Sequence, residues 1–303
     1  MNSTTSALTN LSCAEPMIRP GMDGSCPGWT REGQAGPGTA SQSTRLRRLL
    51  RLAFRLPAFI GVVTLALADM AFRNRPRSVR SRCAWLSHWS RRTLRVLHLE
   101  ASGQGCPPQR GLLVSNHLGY LDILVLASQQ PMVFVAKSEV RRWPLVGWLA
   151  RLAGTIFIDR SNRSDVARLN AELAQLVEEN IVVALFPEGT SSGGDTVLPF
   201  FSSLLAPAAE NQWPVTPAGL AYELEDGSVE AEVCYWRDMS FVPHLLNLLT
   251  KRSVRARVNY GAATPGSPDR KALARHLQGR VRELKAEIQC MASEEAQART
   301  GRR

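Results

Sequence analysis

From about residue 99 onward, short apolar runs alternate with longer stretches of helical periodicity. This alternation is typical of an α/β fold in which helices cover a largely parallel sheet. The predicted strands are 111–115, 132–136, 155–159, 181–186, 214–219, 232–236 and 254–260. The predicted helices are 122–129, 143–153, 163–180, 202–210, 240–249 and 268–292. In such sheets ligands collect at the carboxyl ends of strands, so residues that follow a strand are the first candidates for a site.

The end of the first predicted strand carries a histidine and an aspartate. Asn116 and His117 follow the strand, and Asp122 comes five residues after the histidine. Residues five apart on one helix point roughly 140° away from each other, so contact requires His117 before the helix and Asp122 in its first turn. A carboxylate that holds an imidazole in one tautomer makes the histidine a general base. The competing interpretation is a structural or merely exposed His–Asp pair.

A second strand end presents another polar group. The predicted strand 181–186 runs into Phe186-Pro187-Glu188-Gly189-Thr190, where the proline and glycine break the strand. Glu188 and Thr190 are then expected at the strand tip, at the same edge of the sheet as His117. An ordinary turn at the end of a strand is the alternative.

Asn116-His117-x4-Asp122 and Phe186-Pro187-Glu188-Gly189-Thr190, in this order, resemble the glycerolipid acyltransferase family, whose best known members acylate lysophosphatidic acid. The resemblance covers about residues 100–260 and implies a glycerolipid acyltransferase-like α/β sandwich. It implies His117 as the catalytic base and Asp122 as the residue that orients it. It also implies that Glu188, Gly189 and Thr190 bind the head group of the acyl acceptor.

Weaker matches extend the resemblance. The block 154–160 is similar to a family block whose arginine, here Arg160, contacts an acceptor phosphate, and a bidentate guanidinium suits that task. Arg160 could equally form a surface ion pair. Lys137 follows a predicted strand where the family often has a lysine near the site, and the block 215–219 resembles one near the acyl chain. The resemblance implies no metal and no cofactor, with acyl-CoA or acyl carrier protein as the acyl donor.

The family pattern is broken at two positions. Ser191 follows Thr190 where the family usually has arginine, and Phe201 stands where a lysine or arginine is common. Both changes weaken the expectation of a strongly anionic acceptor. The stretch 234–241, with Pro243 and His244, resembles the branch that includes bacterial lyso-ornithine lipid acyltransferases. The expected acceptor is 1-acyl-sn-glycerol-3-phosphate, with lyso-ornithine lipid as the alternative.

The positive charge of the chain is concentrated upstream of this region. Residues 45–95 contain thirteen arginines, no lysine and one acid, Asp69, so this window carries a charge of +12. The net charge of the chain is +11, so the remaining residues sum to −1. Arg47, Arg51 and Arg55 share one face of a predicted amphipathic helix, and a mostly apolar run over 56–72 follows. Arginines flanking an apolar run with tryptophans at its border favour a membrane-surface or re-entrant anchor. A single membrane span, nucleic-acid binding and a solvated basic helix pair remain alternatives.

These features predict four segments. Residues 1–44, rich in Ser, Thr, Gly and Pro, are predicted to be a disordered tail. They are followed by membrane-associated helices over 45–98, a catalytic domain over 99–262 and a C-terminal helix and tail over 263–303. Thioester donors are cytosolic in a bacterium, so the catalytic domain is expected on the cytoplasmic side of the inner membrane. Six scattered cysteines without a C-x-x-C pair predict reduced thiols and no zinc site.

A serine esterase is a rival from another class. Residues 189–193 fit the G-x-S-x-G elbow with Ser191 as nucleophile, and His244 follows three aspartates in the required chain order. An elbow must turn directly into a helix, whereas Gly194 and Pro199 favour a loop. An arginine-rich nucleic-acid binder is the third class, and it predicts steeply salt-dependent binding to DNA or RNA.

Overall fold

Seven strands form one mixed sheet in the computed structural model, which describes residues 42–73, 78–143, 145–159 and 163–300. The strands are β1 Leu99–Gln104, β2 Leu112–Ser115, β3 Val133–Lys137, β4 Ile156–Ile158, β5 Val183–Leu185, β6 Val215–Leu224 and β7 Val254–Tyr260. Their order in the sheet is β1-β7-β6-β2-β5-β3-β4. The five strands from β6 to β4 are mutually parallel, and β7 runs antiparallel to β6.

Helices lie between and around these strands. They are α1 Gln42–Ala68, α2 Val79–Val96, α3 Leu121–Gln129, α4 Val146–Leu152, α5 Arg163–Glu178, α6 Ala206–Glu210, α7 Val229–Glu232, α8 Phe241–Thr250 and α9 Arg270–Thr300. Single turns of 3-10 helix occupy Ser138–Arg142 and Ser202–Leu205, and a π-helical turn, Asp69–Arg73, continues α1. The predicted α/β architecture is therefore confirmed.

Two strand assignments differ from the prediction. The predicted strand 232–236 is wrong, because its first residue ends α7, whose start is capped by the Ser228 hydroxyl, and Tyr235 lies in a loop. The Tyr235 backbone N–H donates to the Leu118 carbonyl at 2.8 Å. Conversely, β1 was not predicted, because an edge strand in which only Leu99 is buried has no apolar run to reveal it.

The sheet separates two apolar layers. Leu113 packs into a cluster with residues of α2, α3 and α8, while its neighbours Leu112 and Val114 pack into a cluster with residues of α5 and α9. Because successive residues of a strand point to opposite faces, burial of both faces explains the unbroken apolar run of β2. On β6, a Cβ at Gly219 would collide with the backbone of Leu284, so this glycine lets α9 lie directly on the sheet.

The amphipathic stretch 45–55 and the apolar run 56–72 fold as one continuous helix, α1 with its π-helical last turn. α1 passes through Pro57 without ending. On its inner side, the guanidinium groups of Arg51 and Arg55 donate to carbonyls at the C-terminus of α8, where cations are favoured by the helix dipole. On its outer side a row of large apolar side chains is exposed, including Phe54, Ile60 and Leu65. By length and composition alone, 43–72 is the one described helix able to cross a membrane.

Two further expectations concern the tail and the cysteines. Residues 1–41 of the predicted disordered tail lie outside the described residues, and 42–44 already belong to α1. Cys106 and Cys290 are disulfide-bonded, whereas Cys83 and Cys234 are free and buried. The prediction of reduced thiols is therefore wrong for two of the six cysteines.

Candidate active site

His117 and Asp122 meet at the turn between β2 and α3, called the catalytic turn below because the sequence predicts a catalytic role for both residues. His117 follows the strand and Asp122 lies in the first turn of the helix, which brings His117 Nδ1 to 2.7 Å from Asp122 Oδ2. The backbone N–H groups of Leu118 and Gly119 also donate to Asp122 Oδ2. The aspartate is fully buried and the imidazole is half-buried. Because an ionised carboxylate only accepts, Nδ1 carries the proton and Nε2 is left as the basic nitrogen.

Tyr222 adds a third member to this pair. Tyr222 lies near the C-terminal end of β6, and its hydroxyl donates to Asp122 Oδ1 with a distance of 2.7 Å between the two oxygens. Burial raises the pKa of Tyr222 well above its usual range, and the adjacent Asp122 charge raises it further, so the hydroxyl remains a donor. With both oxygens occupied, Asp122 cannot rotate away from the imidazole. Sequence reasoning missed Tyr222, because the predicted strand stopped at residue 219 and nothing in its local pattern marks it.

Replacing Tyr222 with phenylalanine is expected to lower kcat about tenfold and to cost about 1–3 kcal/mol of stability, because it leaves a buried carboxylate oxygen without its donor. Steady-state kinetics and thermal unfolding measure the two effects. Tyr260→Phe is the matched control, since the buried Tyr260 hydroxyl has no hydrogen-bond partner among the residues that the structure describes. Equal behaviour of the two variants would contradict the role assigned to Tyr222.

Glu188 turns inward instead of standing at the strand tip. Its side chain is 2% exposed, and its Oε1 accepts a hydrogen bond from the backbone N–H of His117 at 3.1 Å. Burial raises the pKa of Glu188 to about 7, although the backbone N–H groups of His117 and Leu198 oppose the shift. The carboxyl group therefore braces the catalytic turn. Contact with an acceptor head group, which the family resemblance implied, remains a prediction.

Gly189 and Thr190 differ in what they offer. Gly189 has a positive φ of 69°, a conformation that favours glycine, and its N–H donates to the Phe186 carbonyl. It shapes the turn that points Glu188 inward. Thr190 is exposed at the same edge.

Lys285 reaches this region from the C-terminal helix. Lys285 is 5% exposed, and its ammonium group donates to the Gly194 carbonyl. Burial lowers the pKa of Lys285, while the nearby Glu188 carboxyl raises it. The loop that follows Glu188 is also tied to the catalytic turn, since the Ser192 N–H donates to the His117 carbonyl at 2.9 Å. The sequence showed no chemistry in α9, because a single lysine in a mixed-charge helix carries no pattern.

Aromatic rings surround the catalytic turn. Phe186 stacks on the His117 ring with a centroid distance of 4.1 Å. On the other side, the Tyr120 hydroxyl is 3.0 Å from His244 Nδ1, and His244 Nε2 is 3.2 Å from the Cys234 carbonyl. The Gly119 N–H donates to Asp122 and the Gly189 N–H donates to the Phe186 carbonyl, so both are engaged and neither points to a reaction oxyanion.

The remaining predicted residues are less closely gathered. Lys137 is exposed at the end of β3, which is separated from β2 by β5. Arg160 lies outside the described residues. The carboxyl ends of β2, β5 and β3, called the site edge below, thus carry His117, Glu188 and Lys137 in that order. No group of three or more metal-ligating side chains occurs among residues 42–73, 78–143, 145–159 and 163–300.

The esterase alternative does not fit this geometry. Residues 191–201 form turns and loop, whereas a nucleophile elbow must lead directly into a helix. Both ring nitrogens of His244 are engaged by Tyr120 and Cys234, so this histidine is not positioned to activate Ser191.

Comparison with known proteins places the chain in a family. A model of the family described as Acyltransferase matches residues 98–221. The lyso-ornithine lipid O-acyltransferase of Pseudomonas aeruginosa is 34% identical over 246 residues, which cover 77% of this chain and 93% of that protein. The chain belongs to the glycerolipid acyltransferase family. The catalytic role of the residues at its site edge remains a prediction.

Other family members extend the comparison. The 1-acyl-sn-glycerol-3-phosphate acyltransferase of Neisseria meningitidis is 29% identical over 253 residues, covering 82% of this acyltransferase and 96% of that protein. The crystal structure of the acyltransferase PlsC from Thermotoga maritima superposes with a TM-score of 0.60 and 19% identity, over 81% of this chain and 98% of that one. At this identity the superposition supports the fold.

Proposed function

We propose that this acyltransferase moves a fatty acyl group from an acyl thioester to the hydroxyl group of a lysolipid in the membrane. The observation that carries the proposal is the hydrogen-bonded line Tyr222–Asp122–His117, which leaves His117 Nε2 as a base at the site edge. The donor is acyl-CoA or acyl carrier protein, and the reaction requires neither a metal nor a cofactor.

The reaction proceeds by direct transfer. His117 Nε2 accepts the proton of the lysolipid hydroxyl as its oxygen attacks the thioester carbonyl. Asp122 remains ionised and stabilises the imidazolium that forms. The tetrahedral intermediate then collapses, the C–S bond breaks, and the imidazolium returns the proton to the leaving thiolate. No acyl–enzyme bond forms, and Glu188 holds His117 in place through the backbone.

Lyso-ornithine lipid is the acceptor that the residues favour. Ser191 and Phe201 stand at two positions where the family uses cations for an acceptor phosphate. Four relatives named lyso-ornithine lipid O-acyltransferase are 31–37% identical to the chain, against 29% for each of the two Neisseria 1-acyl-sn-glycerol-3-phosphate acyltransferases. The phosphate-bearing acceptor stays as second candidate, because Lys137 is exposed at the site edge.

The exposed apolar side of α1 supports attachment to the membrane. Phe54 is 77% exposed and Phe72 is 87% exposed, and only 11% of the helix's most apolar window is buried. Water disfavours such a surface, whereas a bilayer with anionic head groups accommodates both the apolar and the arginine side chains. We propose monotopic attachment to the inner membrane with the site facing the cytoplasm, where thioester donors occur. Nucleic acid is not a partner.

Running both acceptors side by side tests the proposal. The purified protein receives a labelled acyl thioester, carried by coenzyme A or by acyl carrier protein, and either lyso-ornithine lipid or 1-acyl-sn-glycerol-3-phosphate. We expect kcat/KM to be at least about tenfold higher for lyso-ornithine lipid, because Ser191 and Phe201 replace two cations that would each favour a phosphate. The reverse ratio would establish the second candidate, and transfer to neither lipid would contradict the function.

A further inference from the structure

A second group of exposed apolar side chains lies outside α1. Trp143, Leu145 and Trp148 are 41%, 42% and 45% exposed where the chain enters α4. Arg141 and Arg142, also exposed, immediately precede them. These five residues are called the lip. Large apolar side chains together on a surface commonly mark an interaction site, and tryptophan beside arginine is typical of a lipid–water interface.

The lip is a fixed corner of the fold. A Cβ at Gly147 would collide with the backbone carbonyls of Val140 and Arg141, so the start of α4 folds tightly against the preceding 3-10 turn. On its inner side, α4 packs through Leu149 and Leu152 against a cluster that includes Ala66 and Met70 at the end of the membrane helix α1. One buried apolar cluster therefore joins α4 to the end of α1.

The lip also adjoins the catalytic turn. The Trp143 ring is 6.4 Å from the Tyr235 ring, and the Tyr235 ring is 5.4 Å from Tyr120, which lies between His117 and Asp122 in the sequence. One aromatic ring thus separates the lip from the turn that carries the base.

We propose that the lip is a second membrane contact, distinct from α1, that inserts into an anionic lipid surface and holds the site edge against the bilayer. The inference rests on the proposed function only in that the acceptor is a membrane lipid. Arg141 and Arg142 pair with anionic head groups, while Trp143, Leu145 and Trp148 enter the boundary between head groups and acyl chains. A lysolipid then reaches His117 without leaving the bilayer.

Tryptophan fluorescence tests insertion without any catalytic turnover. Vesicles of equal parts phosphatidylcholine and phosphatidylglycerol, with brominated acyl chains as quencher, are added to wild type, Trp148→Phe and Trp213→Phe. We expect the quenchable emission to fall in Trp148→Phe and to be unchanged in Trp213→Phe, since Trp213 packs against the core. Equal quenching of wild type and Trp148→Phe would overturn the proposal.

A second experiment measures what insertion does. We expect Leu145→Ser/Trp148→Ser to raise KM about tenfold for a lysolipid embedded in those vesicles, because less apolar area enters the bilayer. With a micellar short-chain acceptor, its kcat and KM should equal those of the wild type. Leu145→Met/Trp148→Phe is the control that keeps the lip apolar without placing a β-branched residue at the positive φ of position 145, and thermal unfolding confirms that both variants fold.

The outcomes separate the lip from the function. Quenching at Trp148 in a protein that acylates no lysolipid would support the lip and contradict the function. Normal acylation of a lysolipid with no quenching at Trp148 would support the function and overturn the lip as a membrane contact. If the serine variant instead changes the oligomeric state in light scattering, with unchanged KM on vesicles, the lip binds a second copy of the chain and the membrane proposal is overturned.

Discussion

Replacing His117 with alanine is expected to lower the kcat of acyl transfer by about 10²- to 10⁴-fold, the usual contribution of a positioned general base. The variant has no group to accept the hydroxyl proton, because Asp122 lies behind the imidazole and is fully buried. KM for the acceptor should change little, since the ring acts mainly in the transition state. The measurement is steady-state transfer of a labelled acyl group to the acceptor established above.

Asp122→Asn tests the second half of the pair. The Leu118 and Gly119 N–H groups would turn the asparagine oxygen toward Nδ1, but the amide offers no charge to the imidazolium, so we expect a loss of about 10²- to 10⁴-fold in kcat. Ser191→Ala is the control for both variants, because a His117-dependent transferase does not need that hydroxyl. Near wild-type transfer by His117→Ala or Asp122→Asn would contradict the mechanism, and loss of activity in Ser191→Ala would revive the esterase.

The sequence alone revealed the fold class and the His117–Asp122 pair, because both leave local patterns. Alternating apolar runs predict strands and helices, and the spacing of five residues requires a turn between the two side chains. Tyr222 and Lys285 left no such pattern. Each reaches the site through tertiary packing, across about a hundred residues in both cases. Only the assembled sheet shows that the end of β6 and the side of α9 face the same turn.

For Glu188 the sequence predicted the position in the chain but not the direction of the side chain. The motif placed it correctly along the chain, yet the orientation of its side chain depends on the φ of Gly189 and on the His117 N–H, which the sequence does not encode as a pattern. Its burial is what gives it an unusual electrostatic role. A carboxyl group at 2% exposure loses most of its hydration, and its charge is only partly compensated by two backbone N–H groups and by Lys285.

This burial predicts how stability depends on pH. The pKa of Glu188 is about 7 in the folded protein against an ordinary value of 4.5, so between these values the folded state binds more protons than the unfolded state. The contribution of protonated Glu188 to the free energy of unfolding is fully present below pH 4.5 and is lost as the pH rises through about 7. The loss amounts to about 3 kcal/mol for a shift of this size.

Glu188→Gln should remove this dependence, because the amide keeps an acceptor for the His117 N–H and does not ionise. Relative to wild type, the variant is expected to have similar stability near pH 5 and to become more stable by up to about 3 kcal/mol toward pH 8. Urea unfolding at a series of pH values measures the difference. Glu210→Gln, at an exposed position at the end of α6, is the control that should leave the pH profile unchanged. If the difference between Glu188→Gln and wild type stays constant from pH 5 to pH 8, Glu188 does not titrate as its burial requires. Its bracing contact to His117 would then need another explanation.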